Sequence, residues 1–192
     1  NPTVVANPDI TVCNGTSVSA TGFTSNPAGA TFTWANSNTA IGLGANGTGN
    51  QPLFIGTNSG TAPISGNVTV TPTLAGCLGS TDVFQITVNP TPVMVVPANI
   101  TQCAGNVTVP AFSSTTAGTS FAWTNSNTSI GLGASGTGSI ATFLGTNSGS
   151  TQISGTISIT PTANSCPGAP VNFTINLNPI PVISTITDIV DC

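Results

Sequence analysis

Residues 34–49 read WANSNTAIGLGANGTG and residues 123–138 read WTNSNTSIGLGASGTG, so one block of sequence is written twice. The copies stay in step beyond the block. Each is followed by F-x-G-T-N-S-G, at Phe54–Gly60 and Phe143–Gly149, and then by I-S-G, at Ile64–Gly66 and Ile153–Gly155. The two tryptophans lie 89 residues apart (123 − 34 = 89). Self-similarity at a fixed period marks repeated structural units, and ~90 residues is an ordinary domain size. The 192 residues accordingly divide into a first module at 1–89, a second at 90–178, and at 179–192 the first strand of a third, cut off at Cys192. With no basic, apolar leader ahead of Asn1-Pro2, the chain is expected to be a piece of something longer.

Around the block the first module alternates short apolar runs with turn residues. Strands are expected at Ile10–Val12, Ser17–Phe23, Thr31–Trp34, Leu53–Ile55, Ile64–Thr71 and Val83–Val88. Val68, Val70, Phe84, Ile86 and Val88 alternate with polar residues, as in strands with one face on a core and one in water. The second module repeats the pattern with Val107, Phe121, Ile157, Ile159, Phe173, Ile175 and Leu177. No segment carries a helical period. The class is therefore all-β, as tandem antiparallel sandwiches of immunoglobulin type, and Trp34 and Trp123 fall in the third strand, where such sandwiches bury a tryptophan. Core packing is the expectation for both indoles; the competing reading is a solvent-facing platform for sugars. Gly42, Gly44, Gly47 and Gly49, with Gly131, Gly133, Gly136 and Gly138, are expected in tight turns and bulges. They do not form a phosphate loop, which needs a Lys and a following helix. The Asn89-Pro90-Thr91-Pro92 and Asn178-Pro179-Ile180-Pro181 seams are expected to be short and semi-rigid.

Composition removes most chemistry. The chain has no Lys, Arg, His or Tyr, and its net charge of −4 is made by Asp9, Asp82, Asp188 and Asp191. Without a basic footprint there is no nucleic-acid partner. Without cations or a long apolar run there is no anchoring to anionic lipid and no membrane insertion. No histidine exists to activate a serine or complete a zinc site, and no carboxylate is placed to pair with Asp9 for acid–base work. Asp9, Asn99 and Asp188 precede a cysteine by the same interval and read as turn-forming positions. Clustered carboxylates for calcium are lacking as well. The expectation is no enzyme, no cofactor and no metal. Trypsin-like proteases have no site to cut, since Lys and Arg are absent.

The cysteines obey the repeat. Cys13, Cys103 and Cys192 follow the module starts, and Cys77 and Cys166 sit in the late turns. Two per module is a disulfide pattern, which places the chain in an oxidising, extracellular compartment. The simpler connectivity pairs Cys13 with Cys77 and Cys103 with Cys166, leaving the partner of Cys192 outside the chain. The alternative follows from immunoglobulin topology, in which the early and late turns lie at opposite ends, so that Cys13 reaches Cys166 across the module boundary.

Taken together, Asn-Pro-x-Pro at the seams, I-T-V-C-N-G at Ile10–Gly15, the tryptophan strand and T-P-T-x-x-x-C at Thr71–Cys77 before a strand ending V-N-P resemble the PKD-like, immunoglobulin-like repeats of giant cell-surface proteins of Bacteroidota. The resemblance covers essentially the whole chain. It implies long arrays exported by the type IX secretion system, some of them gliding-motility adhesins, and it carries no catalytic residues onto this sequence. The expected function is a structural and adhesive repeat segment at the bacterial cell surface, whose partners are neighbouring modules, surface glycans, or the secretion and gliding machinery. Homo-association into a filament or stalk through exposed strand edges is an alternative, as are glycan-binding spacers. Flat Thr-rich faces, at Thr69, Thr71 and Thr73, give a third reading as an ice- or mineral-binding surface.

Overall fold

The computed structural model describes residues 1–182. In the first repeat the strands are β1 (Thr3–Val4), β2 (Ile10–Cys13), β3 (Ser17–Val18), β4 (Ser25–Asn26), β5 (Thr31–Asn36), β6 (Asn46–Thr48), β7 (Phe54–Ile55), β8 (Ile64–Leu74), β9 (Cys77–Leu78) and β10 (Asp82–Asn89). The second supplies β11 (Ile100–Cys103), β12 (Gly105–Val107), β13 (Ser120–Asn125), β14 (Ser135–Thr137), β15 (Phe143–Gly145), β16 (Ile153–Ala163), β17 (Cys166–Pro167) and β18 (Val171–Asn178). The main sheets run β2-β10-β8-β5-β6 and β11-β18-β16-β13-β14, with β9 added to β8 and β17 to β16. The small sheets are β1-β4, β3-β7 and β12-β15. The chain is all-β, built of tandem immunoglobulin-like sandwich modules. Two strand pairs are parallel, where the opening strand meets the closing one: β2 lies parallel to β10, and β11 parallel to β18.

By Cα packing the chain divides into two compact units. The first is Asn1–Val93 with Ser114–Thr119 and Thr162–Gly168; the second is Met94–Ser113, Ser120–Pro161 and the chain from Ala169. Period-two burial builds each interior. In the first, Val68 and Val70 of β8 and Phe84, Ile86 and Val88 of β10 meet Trp34 of β5, with Val4 and Phe54 of the small sheets packed against them. In the second, Ile157 and Ile159 of β16 and Phe173, Ile175 and Leu177 of β18 meet Trp123 of β13. Each buried aliphatic or aromatic side chain contributes ~1.5–3 kcal/mol.

Several elements differ from the sequence expectation. The run expected from Ser17 to Phe23 is strand only at Ser17 and Val18, because β7, its partner, is two residues long, and it pairs again only as a single antiparallel bridge between Thr21 and Gln51. Phe23 still reaches the core, and its N–H is taken by Asn50 Oδ1 at 3.1 Å. Two 3-10 turns, Thr39–Ile41 and Thr128–Ile130, fall inside the duplicated block, where no helical period exists to announce them. Pro179–Val182 form no strand, and the rest of the segment read as the start of a third module lies outside the described residues, as do Cys192, Asp188 and Asp191.

Candidate functional site

Trp34 and Trp123 are 6% and 9% exposed, so neither indole offers a face to a sugar. Each stands opposite a glycine on the neighbouring strand, Gly47 for Trp34 and Gly136 for Trp123, and the ring fills the space a Cβ there would need. The indole Nε1–H of each is buried with no acceptor among the described residues. That costs ~1–3 kcal/mol, which burial of the ring must exceed. Thr69, Thr71 and Thr73 are half-buried, opposite Ala35, Thr33 and Thr31 on β5.

The duplicated asparagines do work that composition conceals. Asn36, 8% exposed, donates from Nδ2 to the carbonyls of Leu43 at 2.9 Å and Asn38 at 3.0 Å, and accepts from Asn38 N–H on Oδ1. Asn125 repeats every contact with Leu132 and Asn127. Gly66 and Gly155 of the I-S-G motif make the room: a Cβ at Gly66 would stand 2.9 Å from Ile41 Cδ1, and one at Gly155 2.8 Å from Asn125 Oδ1. Asn38 and Asn127 cap the 3-10 turns. Asn58 of T-N-S-G ties its loop to the Val88 carbonyl at 2.8 Å, as Asn147 does to Leu177 at 2.7 Å. The repeated block is thus a set of internal amide clamps, and its residues are occupied with their own backbone.

Asp9 is not a local turn former. Its Oδ1 accepts from the Gln85 N–H of β10 at 2.7 Å, and Asn99 accepts from Thr174 N–H of β18 at 2.8 Å. Both positions lead the opening strand into its parallel pairing. Among the described residues no three His, Cys, Asp or Glu side chains come together as a metal site.

The cysteines occupy opposite ends of the main sheets. Cys13 pairs in register with Asn89, at the far end of β10, and Cys103 with Asn178, at the far end of β18. Cys77 and Cys166 sit beyond the other end, each directly after a two-residue hairpin turn. Both turns have positive φ at both central residues, Ala75 and Gly76 in one and Asn164 and Ser165 in the other. This left-handed pair matches the strand twist and sets the cysteine at the first paired position of β9 or β17. Seven residue steps along β10 separate the ends, roughly 23 Å at ~3.3 Å per residue. A disulfide needs Cα atoms within about 7 Å, so Cys13–Cys77 and Cys103–Cys166 cannot close. The structure instead pairs Cys13 with Cys166, at a Cα–Cα distance of 5.6 Å and a sequence separation of 153. This corrects the simpler expectation in favour of its alternative. Cys77 and Cys103 carry free, exposed thiols.

The bonded and free ends differ in cover. In the second hairpin Ala163 is 2% and Cys166 1% exposed, and the Asn164 carbonyl accepts from Asn89 Nδ2 at 3.3 Å. In the first hairpin Cys77 is exposed and Leu78 is 67% exposed. At the opposite ends, Asn89 beside Cys13 is 7% exposed, with Pro90 and Pro92 buried. Beside Cys103, the second seam leaves Ile180 61% exposed, and Pro181 is exposed too. There a shallow depression is lined by Ala104, Gly105, Leu144, Asn147 and Ile180.

No described protein family matches the chain, and no curated protein matches it. Among solved structures it is similar to human mucin-like protocadherin EC1-2, at 13% identity over 95% of this chain and 99% of that one, with a TM-score of 0.44. It is also similar to mouse cadherin-23 EC22-24, at 9% identity over 94% of this chain and 67% of that one, TM-score 0.44. Drosophila N-cadherin EC1-4 matches at 11% identity over 94% of this chain, TM-score 0.43, and this chain spans 49% of its length. At these values the likeness carries nothing about function.

Proposed function

We propose that this chain is a structural and adhesive repeat segment of a long extracellular protein, built from modules at 1–89 and 90–178 with the start of a third at 179–192. The observation that carries the reading is the Cys13–Cys166 disulfide, which joins the opening strand of the first repeat to the late hairpin of the second. A bond in that position restrains extension between successive repeats, and a restraint on extension is of use to a protein that bears load. The disulfide also supports an oxidising, extracellular setting. The duplicated motif supports the reading from the other side, because its polar groups are turned inward as clamps and leave no reactive constellation.

The finer form of the proposal is a cell-surface adhesin of gliding or attachment type in Bacteroidota, exported by type IX secretion, with neighbouring modules as its first partners and surface glycans as candidate ligands. It rests on the motif resemblance. The test is an antibody against this segment applied to living, unpermeabilised cells and followed by fluorescence. Signal that travels along the cell body is expected for a motility adhesin. A static or shed signal would overturn gliding in favour of a stalk or matrix filament, and labelling only after permeabilisation would overturn surface display altogether.

A further inference from the structure

We propose that Cys77 and Cys103 are the two complementary halves of a further staple of the Cys13–Cys166 kind, and that their partner is another copy of this repeat. Cys103 holds in the second repeat the place Cys13 holds in the first: both end the opening strand, in register with the last residue of the closing strand. Cys77 likewise holds the place of Cys166, at the first paired position after a left-handed hairpin turn. The rule visible in the bonded pair joins an opening-strand cysteine to the hairpin cysteine of the following repeat. Applied to two copies of the chain set end to end, it joins Cys103 of one copy to Cys77 of the next.

Burial marks these ends as uncovered. Where the staple is closed, the hairpin cysteine is 1% exposed and the seam asparagine 7%. Where it is open, Cys77, Leu78, Cys103 and Ile180 are all exposed. Ile180, 61% exposed beside Cys103, is an apolar side chain that docking of another repeat would remove from water.

The chemistry is thiol–disulfide exchange with a low-molecular-weight disulfide. The Cys103 thiolate attacks one sulfur of that disulfide, forms a mixed disulfide and expels one small thiolate. The Cys77 thiolate of the second copy then attacks the Cys103 sulfur and expels the other. Two protein thiols are oxidised and one small disulfide is reduced to two thiols. The inference depends on the repeat frame and not on display at a cell surface, so it stands or falls independently of the labelling experiment.

The test uses the full chain with Cys192→Ser as background, in a buffer of oxidised and reduced glutathione. Two proteins are prepared, one further carrying Cys77→Ser and the other Cys103→Ser. Mixed together they are expected to give a covalent dimer about tenfold faster than either alone, a docking preference of ~1.4 kcal/mol. The linked peptide is expected to be Cys103–Cys77, and the background protein with both thiols should form a ladder of oligomers. Equal rates of self- and cross-dimerisation, or thiols that remain free or end capped by glutathione, would overturn the proposal.

Discussion

Trp34 on β5 stands directly opposite Gly47 on β6, and the indole occupies the place where a side chain on Gly47 would begin. The second repeat builds the same pair from Trp123 and Gly136. The glycine of the repeated G-T-G is therefore a packing requirement of the tryptophan. Gly47→Ala is expected to lower unfolding free energy by ~1–3 kcal/mol, the usual cost of overpacking. Gly44, with open space around its Cβ direction, is the control: Gly44→Ala should stay within about 0.5 kcal/mol. Urea denaturation of both variants decides.

The Asn36 clamp gives a second test, because its amide must both donate and accept. Asn36→Ala leaves the Leu43 carbonyl in a buried site without its donor and should cost ~1–3 kcal/mol. Asn36→Asp should cost more, since a carboxylate would then face the carbonyls of Leu43 and Asn38. An aspartate variant as stable as wild type in denaturant titrations would sink this account of the motif.

For Asp9 the expectation turns on the acceptor oxygen and not on charge. The second repeat uses Asn99 at the same place, so Asp9→Asn should be nearly neutral, whereas Asp9→Ala loses the bond to Gln85 N–H and about 1 kcal/mol. Thermal melts of the two variants separate the roles, and equal losses would show that the negative charge matters.

Closing a loop between residues 153 apart removes chain entropy from the unfolded state, up to about 5 kcal/mol in the loop-closure picture. The Cys13→Ser, Cys166→Ser double variant is expected to keep its β-sheet circular dichroism while its denaturation midpoint falls. An unchanged midpoint would mean that the bridge is not formed in solution.

Much of the architecture was legible because its signals are periodic. The 89-residue duplication, the alternation of Val68, Val70, Phe84, Ile86 and Val88, and the tryptophan strand each follow from spacing, and β5, β8 and β10 cover the runs where spacing put them. The clamps at Asn36 and Asn58 were hidden because, in a chain this rich in Asn and Gly, an amide folded into the interior has the same local sequence as one in a loop. A repeated asparagine followed at a fixed interval by a glycine with no room for a Cβ was the available signal. Ser17–Phe23 misled because alternation marks a strand only where a partner of equal length exists. Asp9 reads locally as a turn residue because its acceptor role depends on β10, 76 residues away, which no window of sequence contains. The cysteine connectivity turned on which end of the sheet each cysteine occupies, and that requires the strand directions.

Mapping the disulfides of the purified, oxidised protein tests the central claim most directly. Trypsin has no site in the chain, so chymotrypsin or an Asp-specific protease is used without reductant, followed by mass spectrometry. A linked peptide pair containing Cys13 and Cys166 is predicted. Finding Cys13 joined to Cys77, together with Cys103 joined to Cys166, would contradict a staple that crosses from one repeat to the next.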